Sequence, residues 1–133
     1  MVDLYGLVTG SNRARTRIWV TVTRSTAGPP NATLYLESAL GVAETLSGFR
    51  FIDRSYVTVD GLQAEQISYA STSFRNDYEN KVLHLTPVPA INRQVYVAHG
   101  DAVWTFSINA SEASAEADMV EFERLLATFK FLN

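Results

Sequence analysis

The stretch that decides the fold runs Arg93-Gln94-Val95-Tyr96-Val97-Ala98-His99-Gly100-Asp101-Ala102-Val103-Trp104-Thr105-Phe106-Ser107-Ile108. Its central Gly100-Asp101 pair is a two-residue turn signal, so the flanking segments are predicted to be antiparallel strands. This turn sets His99 opposite Ala102. It also gathers four apolar residues on one face of the hairpin, in the pairs Val95 with Phe106 and Val97 with Trp104. A slip of one residue would pair the apolar set with polar residues, so the turn and the pattern predict one register.

A closing helix is predicted from Ser111 to Leu126, with Ser111 or Ser114 as its cap. Apolar residues recur there at spacings of three and four, which gives the helix one apolar stripe. The stripe consists of Met119, Phe122, Leu125, Leu126 and Phe129. A short extended tail, Phe129-Lys130-Phe131, is expected to follow.

A second hairpin is predicted from Phe49–Val59 and Leu62–Ser71, closed by the type I′ signal Asp60-Gly61. Its apolar residues fall on both faces. Either both faces of this hairpin are covered, or a bulge near Glu65-Gln66 resets the alternation. The sequence leaves both interpretations open.

The N-terminal third is less regular. Thr16–Thr23 alternates as a strand, and Gly10–Arg15 is predicted to be a turn after a short N-terminal strand. Asn31 suits a helix N-cap and Gly41 a position just beyond the helix C-terminus, which predicts a short helix between them. A strand over Thr33–Leu36 is the alternative interpretation.

The segment Thr72–Lys81 shows no clear period and is predicted to be a long loop. A short strand, Val82–Thr86, is expected after it and to end at Pro87-Val88-Pro89. Candidate binding residues in the loop are Arg75, Asp77, Tyr78 and Glu79, because long ordered loops often carry binding residues. A solvated, mobile loop is the alternative interpretation.

Bulk composition narrows the class of protein. The chain has 133 residues, 47% of them hydrophobic and 19% charged, which predicts one globular domain over residues 1–133. A net charge of −3, with scattered Lys and Arg, argues against nucleic-acid binding. The absence of cysteine excludes disulfides, thiolate catalysis and cysteine metal sites. No apolar run approaches the roughly 20 residues of a transmembrane helix.

Catalytic signatures are missing from the sequence. It contains neither a Gly-x-Ser-x-Gly elbow nor a glycine-rich phosphate loop, so we expect no enzyme activity and no cofactor. A metal site at His99 and Asp101, or at His84 with a loop carboxylate, is conceivable. Either set supplies too few ligands for a closed zinc site, and surface histidines are the alternative.

Several segments resemble the PsbP-like family over roughly Phe49–Leu132. The resemblance is carried by Val59–Ala64, Val95–Val97 with Gly100-Asp101, Trp104–Ser107 and Thr128–Phe131. It implies an α+β sandwich in which a central antiparallel sheet, built from hairpins, has helices packed on both faces. The family includes accessory proteins of the oxygen-evolving complex, bacterial exported lipoproteins and, in the same fold, Ran-binding import factors. Divalent metal binding through histidine and carboxylates is also known in the family.

The expected function is therefore a non-enzymatic binding or assembly-accessory domain with an unknown protein partner. We expect the soluble part of a bacterial exported or lipid-anchored protein, extracytoplasmic if Met1 replaces a removed export signal and cytoplasmic otherwise. One alternative is an intracellular regulator that binds a small GTPase. Another is a small-ligand-binding or hydrolytic domain with a pocket between sheet and helix. No sequence feature selects an oligomeric state.

Overall fold

The computed structural model describes residues 2–8 and 16–132. Within them the strands are β1 (Val2–Val8), β2 (Arg17–Arg24), β3 (Arg50–Val59), β4 (Leu62–Glu79), β5 (Val82–His99) and β6 (Ala102–Ser111). The helices are α1 (Ala32–Ala43) and α2 (Ala115–Thr128). The predicted N-terminal strand is confirmed as β1, and the turn predicted for Gly10–Arg15 lies outside the described residues.

The strands form one antiparallel sheet of six strands, in the order β1-β2-β6-β5-β4-β3. Three successive hairpins supply β3 to β6, and β2 joins the free side of β6. The predicted α+β class with an antiparallel sheet made of hairpins is thereby confirmed. β6 and β5 lie in the middle of the sheet, so their side chains supply much of the core.

The β5–β6 hairpin has the predicted register. Val97 pairs with Trp104 and Val95 pairs with Phe106, across a turn in which Gly100 has a φ of 64°. A glycine adopts this left-handed conformation without strain, which is why the two-residue turn forms at this position.

The β3–β4 hairpin settles the alternative that the sequence left open. Asp60 and Gly61 both have positive φ, as a type I′ turn requires. The register runs without interruption past Glu65, and the irregularity lies between Phe51 and Asp53. The bulge near Glu65-Gln66, one of the two interpretations left open, is therefore absent. β4 is buried on both faces from Ala64 to Ser71, whereas β3 beside it is largely exposed, with Tyr56 66% exposed.

The long loop predicted for Thr72–Lys81 is wrong, and the strand predicted to begin at Val82 is confirmed there but does not end at Pro87. β4 continues to Glu79 and β5 begins at Val82, joined by Asn80 and Lys81, which have φ values of 53° and 63°. These two positive φ values make another type I′ turn, here without glycine. Pro87 and Pro89 lie inside β5. They are tolerated there because β6 does not extend beside them, so their missing N–H groups cost no hydrogen bond to a neighbouring strand.

Two hydrophobic clusters form from alternate residues of the strands. The first joins α2, through Met119, Phe122 and Leu126, to Val95, Val97, Phe106 and Ile108 of the sheet. The second joins α1, through Leu36 and Ala43, to Ile67, Tyr69, Tyr96 and Val103. The predicted apolar stripe of α2 is thus confirmed, and both helices are held to the sheet by apolar packing.

Of the two predicted ends of α1, only the N-terminal end is confirmed. Asn31 is the N-cap, with its Oδ1 accepting a hydrogen bond from the Leu34 N–H at 3.1 Å, as predicted. Gly41 does not end the helix, which continues to Ala43 and is capped at Glu44. Ala43 is buried in the second cluster, and this packing outweighs the weak helix propensity of glycine.

Two glycines give a matched stability test. Gly48 has a φ of 68°, and a Cβ there would clash with Thr72 Oγ1, whereas Gly41 is helical and a Cβ there would meet no atom. We expect Gly48→Ala to lower the free energy of unfolding by about 1 to 2 kcal/mol through strain at positive φ. We expect Gly41→Ala to raise it by about 1 kcal/mol. Urea denaturation of both variants measures the two changes in the free energy of unfolding. Equal changes would contradict the different backbone conformations of Gly48 and Gly41.

Candidate functional site

A two-stranded arm extends beyond the rest of the sheet. β3 last pairs with β4 at Ala70, and β6 last pairs with β5 at Ala90. Beyond these points β4 and β5 pair only with each other, up to Glu79 opposite Val82. We call residues 71–89 the arm. It comprises the ends of both strands and the Asn80-Lys81 turn.

One face of the arm is apolar. Directly paired residues lie on the same face, and Phe74 pairs with Pro87, Asn76 with Leu85, and Tyr78 with Leu83. The exposed fractions of the large side chains are 54% for Phe74, 73% for Tyr78, 48% for Leu83 and 59% for Leu85. These residues form an exposed apolar row along the arm, which we call the apolar face.

The predicted binding residues all lie in this arm, although in a strand rather than a loop. Tyr78 belongs to the apolar face. Arg75, Asp77 and Glu79 occupy the alternate positions of β4, and their side chains lie outside what the structure describes. Their role as binding residues stays a prediction. Sequence reasoning missed Phe74, Leu83 and Leu85, although the spacing of two between Leu83 and Leu85 was a usable signal.

An ion-pair network at the start of α1 was also missed. The Glu65 carboxylate is buried and accepts hydrogen bonds from Thr33 Oγ1 and from Arg54 Nη2, the latter at 2.9 Å. A second nitrogen of Arg54 lies 3.1 Å from a carboxylate oxygen of Glu37. The hydrogen bond from Thr33, together with Arg54, lowers the pKa of Glu65 against the opposing effect of burial. Hydrogen bonds to Glu65 and Glu37 raise the pKa of Arg54.

This network borders a groove of about 380 Å³ between α1 and strands β3 to β5. Tyr56, Gln63 and Tyr96 are among its other lining residues. Burial raises the pKa of Tyr96, whose hydroxyl donates to Gln94 Oε1 at 2.6 Å. The Glu65 carboxylate is already bonded to Thr33 and Arg54, and the Tyr96 hydroxyl to Gln94, so the arrangement favours binding over proton transfer.

The two residues of the predicted metal site have other contacts. The His99 ring stacks on Phe131, with ring centroids 3.9 Å apart. Both carboxylate oxygens of Asp101 accept hydrogen bonds from Arg24, at 3.1 and 2.9 Å. Among residues 2–8 and 16–132, no three His, Asp or Glu residues are grouped as metal ligands would be. Metal binding at His99 and Asp101 stays a prediction, and it would have to displace Arg24.

The described helices include none long and apolar enough to cross a membrane. Every buried side-chain nitrogen or oxygen in the described part of the chain has a hydrogen-bond partner. The interior of this described part therefore holds no unpaired polar side chain that would point to a ligand.

Comparison with models of known families and with curated proteins gives no match. Among solved structures, the chain is similar to PA94 of Pseudomonas aeruginosa, a protein of unknown function for which a regulatory role has been suggested. The TM-score is 0.71 at 15% identity, over 99% of this chain and 84% of that protein. It is less similar to LpqN of Mycobacterium tuberculosis, which is involved in cell envelope biogenesis. There the TM-score is 0.44 at 17% identity, over 83% of this chain and 60% of LpqN. The likeness to PA94 shows a shared fold, and membership of the PsbP-like family stays a prediction.

Proposed function

We propose that this chain is a non-enzymatic binding or assembly-accessory domain whose arm contacts a protein partner through its apolar face. The observation that carries the proposal is the row of Phe74, Tyr78, Leu83 and Leu85, each about half exposed or more. Scattered surface hydrophobics are common, but a contiguous row on one projecting element is typical of an interaction surface.

Energetics support the same interpretation. A two-stranded hairpin without further packing is only marginally stable in water. Covering the apolar face would remove large aromatic and aliphatic side chains from water, at roughly 25 cal/mol for each Å² buried. A partner would therefore stabilise the arm and bind to it by the same contact. Aromatic residues such as Phe74 and Tyr78 are also the types that dominate binding energy in protein interfaces.

The architecture predicted from the family resemblance belongs to this proposal. Val95 and Val97 contact the cluster that contains α2, and Tyr96 between them contacts the cluster that contains α1. Because neighbouring residues of a strand point to opposite faces, this alternation supports a sheet with one helix on each face. We propose this three-layered PsbP-like arrangement as the scaffold that carries the arm.

Site-specific photo-crosslinking tests the partner. A photoreactive residue at Leu85, which is 59% exposed on β5, is expected to give one discrete adduct with another protein in cells of the source organism. The matched control is the same residue at Leu46, which is 44% exposed beyond α1. Adduct at neither position, or equal adducts at both, would refute the arm as the binding element.

A second candidate function is the binding of a small polar ligand in the groove beside Glu65. The groove supports it by bringing Thr33, Tyr56 and Tyr96 to one opening. Tyr56 is 66% exposed, so Tyr56→Ala should leave the fold intact and weaken such a ligand. A thermal-shift screen of metabolites against the unaltered chain and Tyr56→Ala tests this function. If no compound raises the melting temperature of the unaltered chain more than that of the variant, this candidate function is refuted.

We also propose an extracytoplasmic location, with the domain exported or attached by a lipid anchor. The support is the family resemblance of Val59–Ala64, Trp104–Ser107 and Thr128–Phe131. Fractionation of source cells with an antibody against the domain tests it. Recovery in the cytoplasmic fraction alone would overturn this part of the proposal.

A further inference from the structure

The two long edges of the arm differ in their capacity to pair. On β5, the carbonyl of Pro89 accepts a hydrogen bond from Glu112 N–H at 2.9 Å, so its backbone points away from β4. Backbone direction alternates along a strand, so Pro87 also points outward, where it offers no N–H. Prolines on an outer edge oppose pairing with another strand.

The β4 edge of the arm is open. Thr72 N–H donates outward to the Ser47 carbonyl at 2.8 Å. By the same alternation, the backbone groups of Phe74, Asn76 and Tyr78 point outward along this edge. No strand of the described chain pairs with them there, since β3 ends opposite Ala70. None of the three is a proline, so the edge can accept a strand.

We propose that two copies of this chain associate through the open β4 edges of their arms, antiparallel and centred on Asn76. Asn76 then pairs with Asn76 of the second copy, and Phe74 lies opposite Tyr78 of the second copy. Outward-pointing groups meet outward-pointing groups in this register, which gives about six backbone hydrogen bonds. The two apolar faces join into one surface, with aromatic cross-strand pairs at its centre.

Charge favours this register over the other registers in which two antiparallel β4 edges could pair symmetrically. Centring on Asn76 sets position 75, an arginine, opposite position 77, an aspartate, twice. Centring on position 75 would oppose two arginines, and centring on position 77 would oppose two aspartates. Centring on Tyr78 would oppose Asp77 and Glu79. Centring on Phe74 would require Thr72 N–H, which is already bonded to Ser47. Opposite charges across a strand pair stabilise it and like charges oppose it.

This inference goes beyond the proposed partner binding, because it uses the edge of the arm and leaves the apolar face accessible. The contact is short, so the dimer is expected to be weak and dependent on protein concentration. Leu85 lies on β5, away from the open edge, so self-association does not produce the adduct expected from the crosslinking test. Failure of either idea can therefore be recognised separately.

Sedimentation equilibrium of the purified protein over a wide concentration range tests the dimer. We expect a monomer–dimer equilibrium for the unaltered chain. Asn76→Pro is expected to abolish it, since the N–H that it removes points outward and is not used within the arm. Asp77→Arg is expected to weaken it by roughly tenfold or more, because it opposes two pairs of arginines.

A charge exchange and a control make the test specific. The double variant Arg75→Asp with Asp77→Arg restores opposite charges in the same register, and we expect it to restore the dimer. Glu44→Arg changes the same charge at the exposed end of α1 and should leave the dimer unchanged. A monomer at all concentrations, or a dimer insensitive to both single variants, overturns the proposal. Failure of the double variant to restore association overturns the register.

Discussion

Phe106→Ala is expected to lower the free energy of unfolding by about 4 kcal/mol, a loss typical of a fully buried phenylalanine. Phe106 is fully buried on the central strand β6, between Val20 of β2 and Val95 of β5. Its ring meets that of Phe129 edge-on, with centroids 4.8 Å apart. Truncation removes both the buried apolar surface and this aromatic contact. It also leaves a cavity that the surrounding close-packed side chains cannot fill.

Guanidinium denaturation followed by tryptophan fluorescence measures the loss. The midpoint should fall while the slope stays constant, because the surface exposed on unfolding hardly changes. Phe74→Ala is the matched control, since Phe74 is 54% exposed on the arm. This control should shift stability by less than about 0.5 kcal/mol. Similar losses in the two variants would mean that the arm packs against the body.

The parts of the fold that the sequence predicts well share one property, which is agreement between turn chemistry and alternation. At Gly100-Asp101 the turn and the apolar pattern select the same register, so Val97 lies opposite Trp104 as expected. In α2 the apolar stripe is as expected, whereas the helix begins at Ala115 rather than Ser111, and the N-cap Ser114 makes no capping hydrogen bond with its side chain. Where a helix end depended on propensity alone, as at Gly41, tertiary packing of Ala43 decided instead.

The sequence does not predict the arm, because its local signals indicate a loop and a strand end rather than one continuous hairpin. Asn80-Lys81 lacks the glycine that usually marks a type I′ turn. Pro87 and Pro89 look like the end of a strand, and only the absence of a neighbour on that side of β5 makes them tolerable. Asn76 interrupts the apolar alternation of β4. The sequence therefore predicts Tyr78 in a loop and gives no indication of the apolar face as a whole.

The Glu65 network could not be predicted because it depends on three separate elements. Arg54 lies on β3, Glu65 on β4 and Thr33 in the first turn of α1. The hairpin register places Tyr56 directly opposite Glu65, so Arg54 reaches it diagonally. Only the docking of α1 on the sheet brings Thr33 within reach, and docking is a tertiary event that no local pattern encodes.

Glu65→Ala is expected to lower the free energy of unfolding by about 3 kcal/mol. Removing one member of a buried ion pair leaves its partners unsatisfied, which typically costs about 3 to 5 kcal/mol. We expect the lower end of that range, because the Arg54 side chain is 33% exposed and keeps its contact with Glu37. Glu37→Ala, which removes the more exposed carboxylate, should lower stability by less than about 1 kcal/mol.

Acid titration separates the charge of Glu65 from its packing. Because its pKa is lowered on folding, its charge stabilises the native state above the unfolded pKa, near the ordinary value of 4.5. That contribution is lost as pH falls through the lower, folded pKa. In Glu65→Gln the amide keeps the shape and does not titrate, so the stability gap to the unaltered chain should be wide at pH 7 and narrow steadily below about pH 4. Asp60, whose pKa is also lowered, titrates in both proteins and cancels in the difference. A gap that stays constant with pH would mean that the network depends on shape alone and that the Arg54–Glu65 charges contribute nothing to folding.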